Sequence, residues 1–351
     1  IKGVMGPDEF HTAYPDADPT TEGGLDNNAY TNVMAAWVLA RAVEVYDILP
    51  DERRSSLCAV LGIDAAERSR WDDVSRGLFV PFHDGGRIIS QFEGFERLQP
   101  FPFDDYRRRY ASIRRLDRIL ESEGDDPNRY QVSKQADVLM LFYLFSREEL
   151  EALFERLGYA FEPAMIFENI CYYIERTVHG STLSWLTHAW VLARADRERS
   201  WRLALEALDS DFADLQGGTT PEGIHLGAMA GTVDLMERCY TGLEVDVQTL
   251  RFNPHLPREV TCLRTSVRYR RQVLDVVVDH DNLEITSRPT TAAPVTLAYR
   301  GTSRAIGPGQ TVRFTLVTEH KDDRPARVRE QRKLEREARG DGVANTAEAA
   351  S

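Results

Sequence analysis

The stretch Asp26-Asn27-Asn28-Ala29-Tyr30-Thr31-Asn32-Val33-Met34-Ala35-Ala36-Trp37-Val38-Leu39-Ala40-Arg41-Ala42-Val43-Glu44-Val45 decides the fold. Asp26, Asn27 and Asn28 offer helix caps, and Tyr30, Met34, Trp37, Val38, Arg41 and Val45 then recur at i, i+4, i+7 and i+8, predicting a long amphipathic helix with one buried face. Similar periodicity predicts helices at 52–61, 64–77, 104–122, 134–145, 147–157, 163–176, 182–195, 198–209 and 221–240. Many helices in succession imply an all-α core, with the Gly-, Phe- and Pro-rich stretch 79–103 read as a long ordered loop. After Gly242 the period becomes alternating, through Leu263, Thr265, Val267 and Tyr269, Val273 to Val278, Leu283 and Ile285, Val295, Leu297 and Tyr299, and Val312, Phe314 and Leu316. Turn residues at Asp281-Asn282, Arg288-Pro289 and Gly307-Pro308-Gly309 separate these runs and predict a small antiparallel sheet domain. The expected organisation is therefore a helical domain over 1–242, a sheet domain over 243–321 and a charged tail over 322–351.

Composition narrows the function. The chain of 351 residues is 42% hydrophobic and 28% charged, enough apolar mass for a sizeable core. A formal net charge of −13 disfavours nucleic acid and anionic membrane surfaces as partners. There is no signal peptide, no apolar run of membrane-spanning length and no initiator Met. Cys58, Cys171, Cys239 and Cys262 show no CxxC spacing, so neither a metal site nor a disulfide framework is expected, and buried, reduced thiols in a cytoplasmic protein are the simplest reading.

Four segments could carry chemistry. Gly3-Val4-Met5-Gly6-Pro7-Asp8-Glu9-Phe10-His11 places an acid among Gly, Pro and aromatics, where desolvation can raise a carboxyl pKa toward that of a general acid; Glu9 is the candidate. Ser133-Lys134-Gln135-Ala136-Asp137-Val138 reads as a helix start with Ser133 as N-cap and with Lys134 and Gln135 as donors in the first turn. His179-Gly180-Ser181-Thr182-Leu183-Ser184 opens another helix, where backbone N–H groups and hydroxyls form a ready anion site that His179 could strengthen. In Gly217-Gly218-Thr219-Thr220-Pro221-Glu222-Gly223-Ile224-His225-Leu226-Gly227, Thr220 and Pro221 suit N-cap and N1, and Glu222 and His225 fall on the first turn.

Placed in order, GPDEF at 6–10, DNNAYTN at 26–32, QFEGF at 91–95, KQADV at 134–138, HGSTLS at 179–184 and GGTTPEGIHLGAMAG at 217–231 closely resemble the disaccharide phosphorylases of glycoside hydrolase family 65. The resemblance implies a mainly α fold, the later part of an (α/α)6 barrel of twelve helices followed by a small antiparallel β-sheet or sandwich domain. It implies cleavage of an α-glucosidic disaccharide of the trehalose or maltose type with inversion, phosphate acting as nucleophile and β-glucose 1-phosphate being released. It makes Glu9 the general acid, Lys134 and Gln135 glucose-binding residues, and His179, Gly180, Ser181, Thr182, Ser184 and His225 phosphate contacts. No metal or organic cofactor is required, since phosphate is a co-substrate. The partners it implies are the disaccharide, phosphate, a missing N-terminal half of the same enzyme, which a second chain could supply, and a second copy in a homodimer. A family hydrolase would instead need a base carboxylate near the phosphate loop, for which Glu175 and Glu222 are the candidates in sequence. A non-catalytic fragment with a structural or carbohydrate-binding role is the remaining alternative.

Overall fold

A computed structural model describes residues 1–7, 10–18, 23–218, 220–245 and 248–317. Its helices are α1 (Ala29–Ile48), α2 (Asp51–Leu61), α3 (Ala65–Gly77), α4 (Phe103–Arg109), α5 (Leu116–Glu123), α6 (Asp137–Leu144), α7 (Arg147–Arg156), α8 (Pro163–Ile174), α9 (Thr182–Leu192), α10 (Arg197–Asp209) and α11 (Leu226–Asp234). Two short strand pairs lie among them, β1 (Phe82–His83) with β2 (Ile88–Ile89) and β3 (Gln99–Pro100) with β4 (Tyr130–Gln131). Strands β5 (Glu244–Val245), β6 (Thr249–Phe252), β7 (Cys262–Tyr269), β8 (Gln272–Asp279), β9 (Asn282–Ser287), β10 (Val295–Tyr299), β11 (Thr302–Ile306) and β12 (Thr311–Thr315) follow. The expected tail over 322–351 lies outside the described residues. Two compact units result, one of residues 1–191 and 206–229, the other of 192–205 and the chain from 230 onward, so the division is not a single cut in the chain.

Local chemistry sets many of the boundaries. Asn28 caps α1 by accepting from the Thr31 N–H at 2.9 Å, Asp64 caps α3, Ser146 and Glu149 form a capping box on α7, and Pro163 occupies the first position of α8. The buried face of α1 is Ala29, Asn32, Val33 and Ala36, while Val38, Arg41 and Val45 face solvent. The helix is apolar around most of its circumference, so the spacing of its large residues does not mark the packed face. The single helix expected over 104–122 is two, because the chain turns extended at Tyr110 and carries Ile113 into the core formed by Phe101, Tyr106, Leu116, Leu120, Val132 and Val178. The helix expected from 221 begins only at Leu226. Thr220–Glu222 make one 3-10 turn, and Gly223, at φ +139°, breaks it before the chain re-enters a helix.

In the second unit the strands form two four-stranded sheets, ordered β11-β10-β6-β5 and β12-β9-β8-β7. The second is antiparallel throughout, with Val276 opposite Ile285 and Val278 opposite Leu283, all four fully buried. The first includes one parallel pair, β6 with β10, which the alternating pattern does not reveal. The β7–β8 turn consists of Arg270 and Arg271 at φ +47° and +66°, a two-residue hairpin normally given to Asn-Gly. Cys239 is buried, but Cys58 and Cys171 are half-buried and Cys262 is exposed, so the four cysteines, none of them in a disulfide, are not all core residues. Among the described residues no helix is long and apolar enough to cross a membrane.

Leu283 is fully buried opposite Val278 on one side and Phe314 on the other. Leu283→Ala should cost about 3 kcal/mol in urea unfolding; a loss below about 1 kcal/mol would mean that this sheet is not the core of its unit.

Candidate active site

The described residues before α1 are tied down at several points. Val4 and Leu25 exchange both backbone hydrogen bonds, at 3.0 and 2.7 Å, and Gly24 approaches Gly3 so closely that a Cβ on it would collide with the Gly3 carbonyl carbon. Gly6 lies against the buried Asp137: a Cβ there would collide with Asp137 Oδ2, and it would stand 3.1 Å from Asn28 Nδ2. Further on, Thr12 and Ala13 both donate their N–H to Asn128 Oδ1, at 2.9 and 3.3 Å. Asp8 and the proposed acid Glu9 lie outside the described residues.

His11 is 1% exposed and sits edge-on to Phe92 and Phe95, ring centroids 5.1 and 5.8 Å away. Its Nε2–H donates to the Tyr130 carbonyl at 2.9 Å, and burial lowers its pKa to about 4, so the ring is neutral at physiological pH. The same 91–95 segment is stitched to the start of α1: Ala29 N–H donates to the Gln91 carbonyl, Glu93 N–H to the Asp26 carbonyl, and Asn27 Nδ2 to Glu93 Oε2.

Lys134 and Gln135 are not in a helix. Helix α6 begins at Asp137 after Ala136, and Ser133 is engaged elsewhere, in a parallel bridge with Thr177. Ser133 N–H donates to the Arg176 carbonyl at 2.8 Å, Val178 N–H to the Ser133 carbonyl at 3.0 Å, and Gly180 N–H to the Lys134 carbonyl at 3.1 Å. This backbone pairing, invisible to helical periodicity, lays the Lys134-Gln135 segment beside His179-Gly180. Gly180 is where three segments meet: a Cβ there would stand 2.8 Å from the Arg114 carbonyl oxygen, 2.9 Å from Lys134 Cγ and 3.5 Å from Phe10 Cζ.

Ser181 caps α9, its Oγ accepting from Leu183 N–H at 3.3 Å. His179 takes the left-handed conformation at φ +54°. Its Nδ1 lies 2.9 Å from Ser184 Oγ, and the rings of His179 and His188 meet edge to face at 4.6 Å. His188 Nδ1 lies 2.8 Å from the Ser184 carbonyl, which can only accept, so this nitrogen carries the hydrogen. Ser184, fully buried, thus spends its hydroxyl between two imidazoles and supports His179 from beneath.

His225 is held by Asp211, and the loop between them is pinned at the His179 end by Gln216 Nε2, which donates to the His179 carbonyl at 3.4 Å. Gly227 faces α9, where a Cβ on it would stand 3.4 Å from Leu183 Cδ2. Of the alternative base carboxylates, Glu175 ends α8 with a side chain 62% exposed and lies 3.8 Å from Arg176, whereas the side chain of Glu222 is outside the described ones. Among the described residues no group of three or more His, Cys, Asp or Glu could hold a metal ion.

Among the described residues, the buried polar atoms at this junction without a hydrogen-bond partner include Asn28 Nδ2, Gln91 Nε2, Ser133 Oγ and Gln135 Oε1. Each costs about 1–3 kcal/mol unless something pairs with it. Asn28 and Gln91 are not among the expected site residues. Both stand inside quoted motifs, but a cap and a strand-end glutamine look structural until their unused donors are located.

Two family models match the chain, the glycosyl hydrolase family 65 central catalytic domain over residues 1–234 and the family 65 C-terminal domain over 243–304. An uncharacterized glycosyl hydrolase of Mycobacterium tuberculosis is 50% identical over 312 residues, covering 89% of this chain and 23% of that protein. Trehalose 6-phosphate phosphorylase of Lactococcus lactis is 33% identical over 288 residues, covering 82% of the chain and 35% of that protein. Kojibiose phosphorylase of Caldanaerobacter subterraneus is 27% identical over 290 residues, covering 81% and 34%. The chain thus spans between about a quarter and a third of the length of these relatives. Among solved structures, a putative kojibiose phosphorylase from the human microbiome matches with a TM-score of 0.67 at 22% identity, over 91% of this chain and 42% of that one, a likeness of fold.

Because the folded state keeps His11 neutral while the unfolded chain binds a proton near pH 6.5, its contribution to stability is complete above pH 6.5 and is lost as pH falls toward 4. The loss amounts to about 3 kcal/mol. Urea melts at pH 7 and 4.5 should show a smaller acid loss for His11→Gln than for the unaltered protein; equal losses would mean that His11 is not the buried neutral group.

Proposed function

The chain belongs to glycosyl hydrolase family 65, and from that membership we propose that it forms the later part of an inverting phosphorylase acting on an α-glucosidic disaccharide of the trehalose or maltose type. On this reading its helices are the second half of an (α/α)6 barrel. Relatives between about two and four times as long support a catalytic unit completed by an amino-terminal half, in the same polypeptide or as a second chain; the reading extends to a homodimer in the cytoplasm.

In this mechanism Glu9 protonates the glycosidic oxygen while a phosphate oxygen attacks the anomeric carbon from the opposite face, giving β-glucose 1-phosphate and the acceptor sugar. Lys134 and Gln135 hold the reacting glucose, and the unused polar atoms of Gln135, Gln91 and Asn28 suit sugar hydroxyls. Phosphate is received by His179, Ser181 and Thr182 at the start of α9, with Gly180, whose N–H is given to the Lys134 carbonyl, leaving space for it, His225 beside them and Ser184 acting through His179. No metal or organic cofactor enters the reaction.

The observation that carries the reading is the backbone pairing of 133–134 with 176–180, which sets a lysine against a Gly-Ser-Thr helix start. An inverting hydrolase needs a second carboxylate to activate water, and a carboxylate here would repel the phosphate dianion. The run from Thr177 to Trp190 contains no acidic residue at all. A family hydrolase remains the second reading because the 50% identical relative is named a glycosyl hydrolase, with Glu175 or Glu222 as base.

With trehalose or maltose, the protein together with its amino-terminal half should release β-glucose 1-phosphate only when inorganic phosphate is present. Glucose formed equally well in phosphate-free buffer would assign hydrolysis instead. Glu9→Gln should lower phosphorolysis by about 10³-fold or more with the circular dichroism spectrum unchanged; retained turnover would remove Glu9 from the acid role.

A further inference from the structure

Asp211 follows α10 by two positions and belongs to none of the expected site residues, yet it makes two hydrogen bonds to one partner. Its Oδ2 accepts the backbone N–H of His225 at 2.9 Å, and its Oδ1 accepts the Nδ1–H of the same residue at 2.6 Å. The carboxylate is nearly buried, its side chain 7% exposed, while the imidazole it holds is 32% exposed. The surrounding loop is fastened independently: Thr220 Oγ1 donates to the Asp211 carbonyl at 3.2 Å, and Asp214 accepts the N–H groups of Gly218 and Thr220. Hydrogen bonding from His225 holds the Asp211 carboxyl below the usual carboxylate range, as an acceptor must be.

We propose that Asp211 is a positioning residue for phosphate binding, fixing both the backbone and the ring of His225 so that Nε2 is the nitrogen offered to a phosphate oxygen. The proposal rests on the phosphorylase reading and adds to it a residue that the motifs do not contain. With Nδ1–H given to Oδ1, the ring can meet a ligand only through Nε2. In the protonated ring Nε2–H donates to a phosphate oxygen; in the neutral ring Nε2 accepts from a phosphate hydroxyl. Both contacts keep the proton on Nδ1, where a carboxylate holds it and also supports the imidazolium form; with an amide in its place Nε2–H can donate only from a neutral ring, without the cation's charge.

Asp211→Asn separates orientation from folding. The His225 backbone N–H can still claim the amide oxygen, which turns the amide NH2 toward Nδ1 and drives the ring proton to Nε2. In 15N spectra of the imidazoles, the Nδ1 signal of His225 should move from the pyrrole type to the pyridine type. In the phosphorolysis assay, KM for inorganic phosphate should rise about tenfold, the loss of one charge-assisted contact, with KM for the disaccharide within about twofold. An unchanged KM for phosphate in a phosphate-dependent enzyme overturns the role of Asp211 alone. Phosphate-independent turnover by the unaltered enzyme overturns the phosphorylase reading and this proposal with it. If Asp211→Asn does not fold, titrating the unaltered protein with inorganic phosphate decides the matter: the Nε2 signal of His225 should shift while Nδ1 stays pyrrole-like, and an unmoved Nε2 rejects the proposal.

Discussion

One parallel bridge, Ser133 to Thr177, joins segments more than forty residues apart, and the hydrogen bonds on either side of it bring Lys134 beside Gly180. The pairing uses main-chain groups only, so it constrains position without consuming side chains. The positions of Lys134, Gln135 and Gly180 are thereby fixed by a backbone that cannot drift. Gly180 is the tightest point of the arrangement. A side chain there would press on Arg114, Lys134 and Phe10 together.

Arg114 continues the same logic on the other side of Gly180. Its guanidinium lies 5.1 Å from the centre of the Trp185 ring, donates to the Leu215 carbonyl and pairs with Glu206 at 3.3 Å, so α9 and the loop after α10 are referred to one residue. Around this frame lie buried polar atoms that no described protein group satisfies, on Asn28, Gln91, Ser133 and Gln135. In a region otherwise closed by hydrogen bonds, such atoms are the ones that the proposed function gives to the hydroxyl groups of a sugar.

Much of this is legible in the sequence, for identifiable reasons. Caps at Asn28, Asp64 and Ser146 and the change of period after Gly242 are local signals, and they place most helices and the strands of the sheet ordered β12-β9-β8-β7. What periodicity misses is non-local or conformational. Ser133 resembles a cap because it is a serine before an apolar run, but its backbone is already committed to Thr177. Thr220 and Pro221 begin a helix well by composition, yet Gly223 permits a conformation that ends it after one turn. Asp211 gives no signal at all, since a lone aspartate fourteen residues from a histidine says nothing until the loop closes.

The contact between Phe10 and Gly180 bears on the order in which the chain assembles. It closes a loop about eight times longer than the Val4–Leu25 bridge, three doublings of length, which adds about 2 kcal/mol of closure entropy. Helices and hairpins need only neighbours and form early, whereas this junction must wait until α5, α6, α8 and α9 already stand in place to receive it. The segment around Phe10 is therefore among the last pieces to lock. Partly folded chains would own most of their secondary structure while this junction is still open, and closure of the Phe10–Gly180 contact becomes a stricter measure of native folding than helix content.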